Sequence, residues 1–95
     1  MNAGEIKNKI RLILQNSGVR RAALFGSAAK GTMKKGSDID LLVEIEKNKT
    51  LFDVINLKLS LEERLGRKVD LVEYDAIKPL MKRSILSEQK LIYET

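Results

Sequence analysis

The stretch Phe25-Gly26-Ser27-Ala28-Ala29-Lys30-Gly31, continuing through Gly36-Ser37 into Asp38-Ile39-Asp40-Leu41-Leu42-Val43, decides how the chain is read. Val19 to Phe25 reads as a first strand, and its run Ala22-Ala23-Leu24-Phe25 is apolar throughout, as in a strand covered on both faces. After Gly26, the segment Ser27-Ala28-Ala29-Lys30 suits a short helix, with Ser27 at or near its N-cap and Gly31 as its breaker. Ile39 to Ile45 is a second strand: Asp38, Asp40, Leu42 and Glu44 share one face, and Ile39, Leu41, Val43 and Ile45 the other. Asp38 and Asp40 therefore project side by side where that strand begins. Backbone N–H groups at a helix start hold phosphate, and paired carboxylates hold hard metal ions. Both parts of a nucleoside triphosphate site thus fall within one short segment.

Composition restricts the chemistry open to these residues. Ninety-five residues, 43% hydrophobic and 33% charged, describe one small globular domain, residues 1–95, with no apolar run long enough for a membrane span. The start, Met1-Asn2-Ala3-Gly4-Glu5, has no signal-peptide pattern, so a cytoplasmic location is expected. There is no Cys and no His, which removes thiol nucleophiles, thiolate zinc sites, imidazole bases and Ser-His-Asp triads. Carboxylate, lysine, serine and oxygen-ligated Mg²⁺ or Mn²⁺ remain. The net charge of +5 suits an anionic partner, yet a solvated Lys-rich surface accounts for it equally well. With two Tyr and two Phe for base stacking, charge by itself does not establish nucleic-acid binding.

Outward from the central stretch, the remaining segments read as scaffold. Ile6, Ile10, Ile13 and Leu14 recur with helical spacing, predicting an amphipathic helix from Ala3 to Asn16 that Gly18 ends. Lys34, Lys35, Gly36 and Ser37 make a basic turn. Thr50, with Asp53 three residues on, predicts the cap of a second long helix. Leu51, Val54, Ile55, Leu61 and Leu65 are its expected apolar face, widened by Leu57 and Leu59, and Gly66 is its end. Lys68 to Val72 reads as a third strand with Asp70 as its odd member, a carboxylate between Val69 and Leu71. Pro79 suits the first turn of a last helix, about Leu80 to Ser87, with Leu80, Met81, Ile85 and Leu86 expected on its buried side. Leu91-Ile92-Tyr93 adds a final extended piece.

Nucleotidyl transfer demands that a triphosphate be held by N–H groups and cations. Two divalent ions, roughly 3.5–4 Å apart, must bridge the phosphate, the attacking hydroxyl and the leaving pyrophosphate. Carboxylates two apart on one strand face can share such ions, and a third on the neighbouring strand can complete a metal shell and accept the hydroxyl proton. Asp38, Asp40 and Asp70 meet that description if their strands are adjacent. Singly they have plainer readings: Asp38 as a turn residue, Asp70 as an ion-pair partner of Lys68 or Arg67, Ser27 as a cap. Asp40 is harder to explain that way, because an acid inside an apolar strand needs a partner.

Gly26-Ser27, ten residues, Asp38-x-Asp40 and the later Val69-Asp70-Leu71-Val72 together closely resemble the DNA polymerase beta nucleotidyltransferase superfamily. Within it, the short length and the phrase GSAAKGTMKKGSDIDLLVEI resemble the minimal nucleotidyltransferase (MNT) domain proteins over essentially the whole chain. The resemblance implies an α/β fold with a small mixed sheet and helices packed against it. It implies Mg²⁺, two ions, at Asp38, Asp40 and Asp70, and ATP held at Gly26 and Ser27 with Lys30 beside it. Members of that family are often antitoxins paired with a HEPN-domain ribonuclease toxin, and some transfer AMP from ATP to a tyrosine of that toxin. Lys30 departs from the Arg common at its position and lacks the bidentate fork of a guanidinium. The absence of an added acceptor-binding domain favours a protein acceptor, and so a hetero-oligomer. The alternative is an antitoxin that neutralises its toxin by binding alone.

Overall fold

A computed structural model describes residues 1–32, 34 and 36–95. Lys35 of the expected basic turn lies outside the described residues. The elements follow in the order α1 (Ala3–Asn16), β1 (Val19–Leu24), α2 (Gly26–Lys30), β2 (Ile39–Ile45), α3 (Leu51–Leu65), β3 (Val69–Glu73), a 3-10 turn (Tyr74–Ala76), α4 (Pro79–Glu88) and β4 (Lys90–Glu94). The four strands form one mixed sheet in the order β3-β2-β1-β4. β1 is antiparallel to both β2 and β4, whereas β2 and β3 run parallel. Among the described residues no helix is long and apolar enough to cross a membrane.

Both faces of the sheet are covered, which explains the unbroken apolar run of β1. On one face Ile6, Ile10 and Leu14 of α1 and Leu57, Leu61 and Leu65 of α3 pack on Ala22, Leu24, Ile39, Leu41 and Val43. Each fully buried Ile or Leu there contributes about 2 kcal/mol of transfer free energy, so this layer dominates stability. The other face carries a smaller cluster, Ala23, Leu42 and Ile77, with Phe25, Val72, Tyr74, Ile85 and Leu86 against it. β1 stops one residue before the expected Phe25, which instead precedes α2.

Local signals set several helix ends. The hydroxyl oxygen of Thr50 accepts from the Asp53 N–H at 3.3 Å, while Asp53 Oδ2 accepts from the Thr50 N–H at 2.8 Å, closing a capping box. Pro79 occupies the first turn of α4. Three expectations fail. The N-cap of α2 is Phe25 and no side chain caps it, because Ser27 already lies inside the helix. On α3 the buried line is Leu57, Leu61 and Leu65, and Leu51, Ile55 and Leu59 turn outward. On α4, Leu80 and Met81 are exposed and only Ile85 and Leu86 reach the sheet. The last two misses share a cause. These helices carry apolar residues on more than one arc, and the neighbouring elements choose which arc is buried.

Candidate active site

The parallel pairing of β2 with β3 creates the site. It sets Asp40 directly opposite Asp70, with Ile39 opposite Val69 and the Ile39 N–H donating to the Lys68 carbonyl at 2.9 Å. Side chains of register partners share a face, so the two carboxylates are neighbours across adjacent strands. Asp38 stands just ahead of β2, at the end of a turn in which the Lys34 N–H donates to Ser37 Oγ and the Ser37 N–H to the Lys34 carbonyl. Asp38 and Asp70 are exposed; Asp40 is half-buried.

From the other side, β1 brings Gly26 against Asp40. The Phe25 N–H donates to the Asp40 carbonyl at 3.1 Å, which joins the end of β1 to the start of β2. Gly26 then has φ +61°, and a Cβ added there would lie 2.5 Å from Asp40 Oδ2. Only glycine accepts both the left-handed backbone and this approach. The start of α2 is thus laid directly on the carboxylate, with Ser27 half-buried as the second residue of the helix. Lys30, at the far end of α2, has its Nζ 3.5 Å from Glu88 Oε2 on α4.

Electrostatically, Asp40 is the strained member. Burial, then the charge of Asp70, then that of Asp38 raise its carboxyl above the usual 3.8. Among the described residues none of the three carboxylates has an ion-pair partner. Nor do any three acidic groups stand close enough to hold an ion as they are. Oxygen-only donors and like charges in register fit a hard divalent cation, which would relieve the repulsion on Asp40.

Two supports were not signalled by the sequence. The guanidinium of Arg21 lies 4.1 Å over the Tyr74 ring, and the Tyr74 hydroxyl donates to Gln89 Oε1 at 2.6 Å. This ties the end of α4 to the sheet face that carries Asp40. Arg21 Nε is buried without a hydrogen bond, so Glu44 at 3.9 Å offers charge alone. Arg67, just before β3, donates from Nη1 to the Lys34 carbonyl at 3.3 Å and so links the segment leading to Asp70 with the turn leading to Asp38. Both ties join residues far apart in sequence, and neither has a local pattern that would reveal it.

Known proteins resemble the chain in sequence and fold. A candidate protein adenylyltransferase of Methanocaldococcus jannaschii, MJ0435, is 51% identical over 88 residues, covering 93% of this chain and 95% of its own. The protein adenylyltransferase MntA of Thermococcus cleftensis is 39% identical over 71 residues, 75% of this chain and 72% of its own. A solved structure of a candidate minimal nucleotidyltransferase superposes with a TM-score of 0.80 at 34% identity, covering 94% of both chains. A crystal structure of a toxin-antitoxin with AMP-PNP gives 0.79 at 26% identity, covering 94% of this chain and 73% of that one. Residues 8–95 match the family described as Polymerase beta, Nucleotidyltransferase, and the chain accordingly belongs to that family and is a nucleotidyltransferase.

Proposed function

We propose that the chain is a protein adenylyltransferase that moves AMP from ATP to a tyrosine hydroxyl of a HEPN-domain toxin and thereby acts as its antitoxin. The observation that carries this reading is the register pairing of Asp40 with Asp70, with Gly26 laid against Asp40. The relatives named as protein adenylyltransferases and the toxin-antitoxin neighbour with AMP-PNP support the choice of nucleotide and partner.

Asp38, Asp40 and Asp70 would hold Mg²⁺, which supplies charge neutralisation at the phosphates and lowers the cost of ionising the acceptor hydroxyl. Gly26 and Ser27 orient the triphosphate through the amides at the start of α2, and Lys30 adds positive charge from the far end of that helix. The acceptor oxygen attacks the α-phosphorus and forms the new P–O bond. The bond from that phosphorus to the β-phosphate bridging oxygen breaks, and pyrophosphate leaves with its electron pair. Asp70, exposed on β3, accepts the hydroxyl proton. The three carboxylates stand on a sheet face that α1 and α3 leave clear, so a partner protein can bring its hydroxyl there.

Incubation of the chain with a HEPN protein encoded beside it, ATP and Mg²⁺ should add one or more adenylyl groups to that protein by intact mass spectrometry. Asp38→Asn and Asp40→Asn together should abolish the adduct. Bound partners that never acquire the adduct, with neutralisation intact in the double variant, would establish the alternative of neutralisation by binding alone.

A further inference from the structure

Two of the three carboxylates are placed by the sheet itself. Asp40 and Asp70 are register partners across β2 and β3, whereas Asp38 precedes β2 and belongs to the connection from α2. Among the described residues of that connection, one hydrogen bond reaches the segment that enters β3: Arg67 Nη1 donates to the Lys34 carbonyl at 3.3 Å. The same carbonyl accepts the Ser37 N–H at 3.0 Å, and Ser37 Oγ accepts the Lys34 N–H at 3.1 Å. Arg67 therefore grips the turn at the atom that closes it, directly ahead of Asp38. Arg67 is itself firmly based. It lies half-buried in the short turn between α3 and β3, and Glu62 holds that turn at both ends. The Gly66 N–H donates to the Glu62 carbonyl at 2.8 Å and the Val69 N–H to Glu62 Oε2 at 2.9 Å. Among the described residues the Arg67 guanidinium forms no ion pair, so Asp70 is not its partner and one of its donors holds the turn instead. A guanidinium keeps its proton at any working pH and carries its donors in a fixed fork, so this grip is permanent.

We propose that Arg67 is a positioning residue: through the Lys34 carbonyl it sets the turn that carries Asp38, and so fixes that carboxylate for a divalent cation shared with Asp40 and Asp70. This role rests on the three acids being the set that holds the metal. A ligand held in place before the ion arrives loses less conformational freedom on binding it. Groups that orient metal ligands in this way change metal affinity by about 10- to 100-fold. Charge alone predicts the opposite sign. Removing a cation from beside the site would tighten binding of another cation, whereas losing the grip on the turn weakens it.

Mn²⁺ binding to the purified chain, read from the paramagnetic resonance of the free ion, separates the two. Asp38→Asn should weaken binding; if it does not, the metal-holding set itself is wrong, and the role of Arg67 falls with it. Where Asp38→Asn does weaken binding, Arg67→Met should raise the dissociation constant by about tenfold. Its Tm should stay close to that of the parent chain, because the hydrogen bond it removes is exposed. Arg67→Lys, which keeps the charge and a donor on a shorter stem, should fall between the two, and it replaces Arg67→Met should that variant melt early. In the Asp38→Asn background Arg67→Met should change nothing further, since no carboxylate remains there to be placed. Unchanged or tighter Mn²⁺ binding in the Arg67 variants overturns the role, as does an equal loss with and without Asp38.

Discussion

Gly26→Ala is the substitution that most directly probes how the site is assembled. The new Cβ would sit 2.5 Å from Asp40 Oδ2, on a residue whose φ is +61°. A side chain in the left-handed region costs about 1–2 kcal/mol, and pushing a packed neighbour aside costs about 1–3 kcal/mol more. The sum, about 2–5 kcal/mol, corresponds to a fall in Tm of roughly 10–25 °C for a domain of this size. Relief comes from swinging the Asp40 carboxylate away, and a displacement on the ångström scale costs about 100-fold in turnover. Gly31→Ala is the matched control: its φ is +72°, but a Cβ there meets nothing within 4 Å. It should show only the backbone cost of about 1–2 kcal/mol and retain activity. Thermal melts and adenylyl transfer measured on both variants decide the matter. Equal Tm losses, with Gly26→Ala fully active, would refute the argument that close approach to Asp40 is what requires glycine.

Four further variants can be checked by melting. The raised pKa of Asp40 means the folded chain binds that proton more tightly than the unfolded one, so its ionised form costs stability above the folded value and the cost is relieved as pH falls toward 3.8. Asp40→Asn should therefore stabilise the chain slightly at neutral pH, by a few tenths of a kcal/mol given solvent screening, while abolishing turnover; Mg²⁺ should raise the Tm of the parent chain and leave that of this variant unchanged. Tyr74→Phe removes the 2.6 Å bond to Gln89 and should cost about 1 kcal/mol. Burial raises the Tyr74 phenol, so the parent loses stability as pH rises past 10.0, and the variant should lose less. Thr50→Ala removes the cap of α3 and should cost about 1 kcal/mol. The hydrogen bonds from Thr50 lower Asp53, whose stabilisation is present above 3.8 and lost as pH falls through its folded value, so Asp53→Asn should flatten the acid limb of the stability curve.

Where signals are local, the sequence was enough. The helical spacing of Ile6, Ile10 and Leu14, with Gly18 beyond, predicts α1 with the bounds Ala3–Asn16 that the structure shows. The alternation after Asp38 predicts β2 as Ile39–Ile45, and Thr50 with Asp53 predicts the cap of α3. These depend on dihedral preference, periodicity and hydrogen bonds across three residues, which the chain carries wherever it lies in space. Gly26, Ser27, Asp38, Asp40 and Asp70 stand out in the sequence as a set, while Asp38, Asp70 and Ser27 each have a plainer reading taken alone.

Tertiary structure decided what depends on the relative placement of distant segments. Asp40 and Asp70 are thirty residues apart, and only the parallel register of β2 with β3 makes them neighbours and raises Asp40. Only the Phe25–Asp40 hydrogen bond lays Gly26 on that carboxylate. Packing also decided that Leu57, Leu61 and Leu65 go inside while Leu51, Ile55 and Leu59 stay out, since both sets are apolar at helical spacing and burial depends on where α1 and the sheet lie. The chain by itself thus determined the elements and the chemistry they can carry. Long-range register and packing determined the face on which that chemistry meets, because neither leaves a periodic trace in the residues involved.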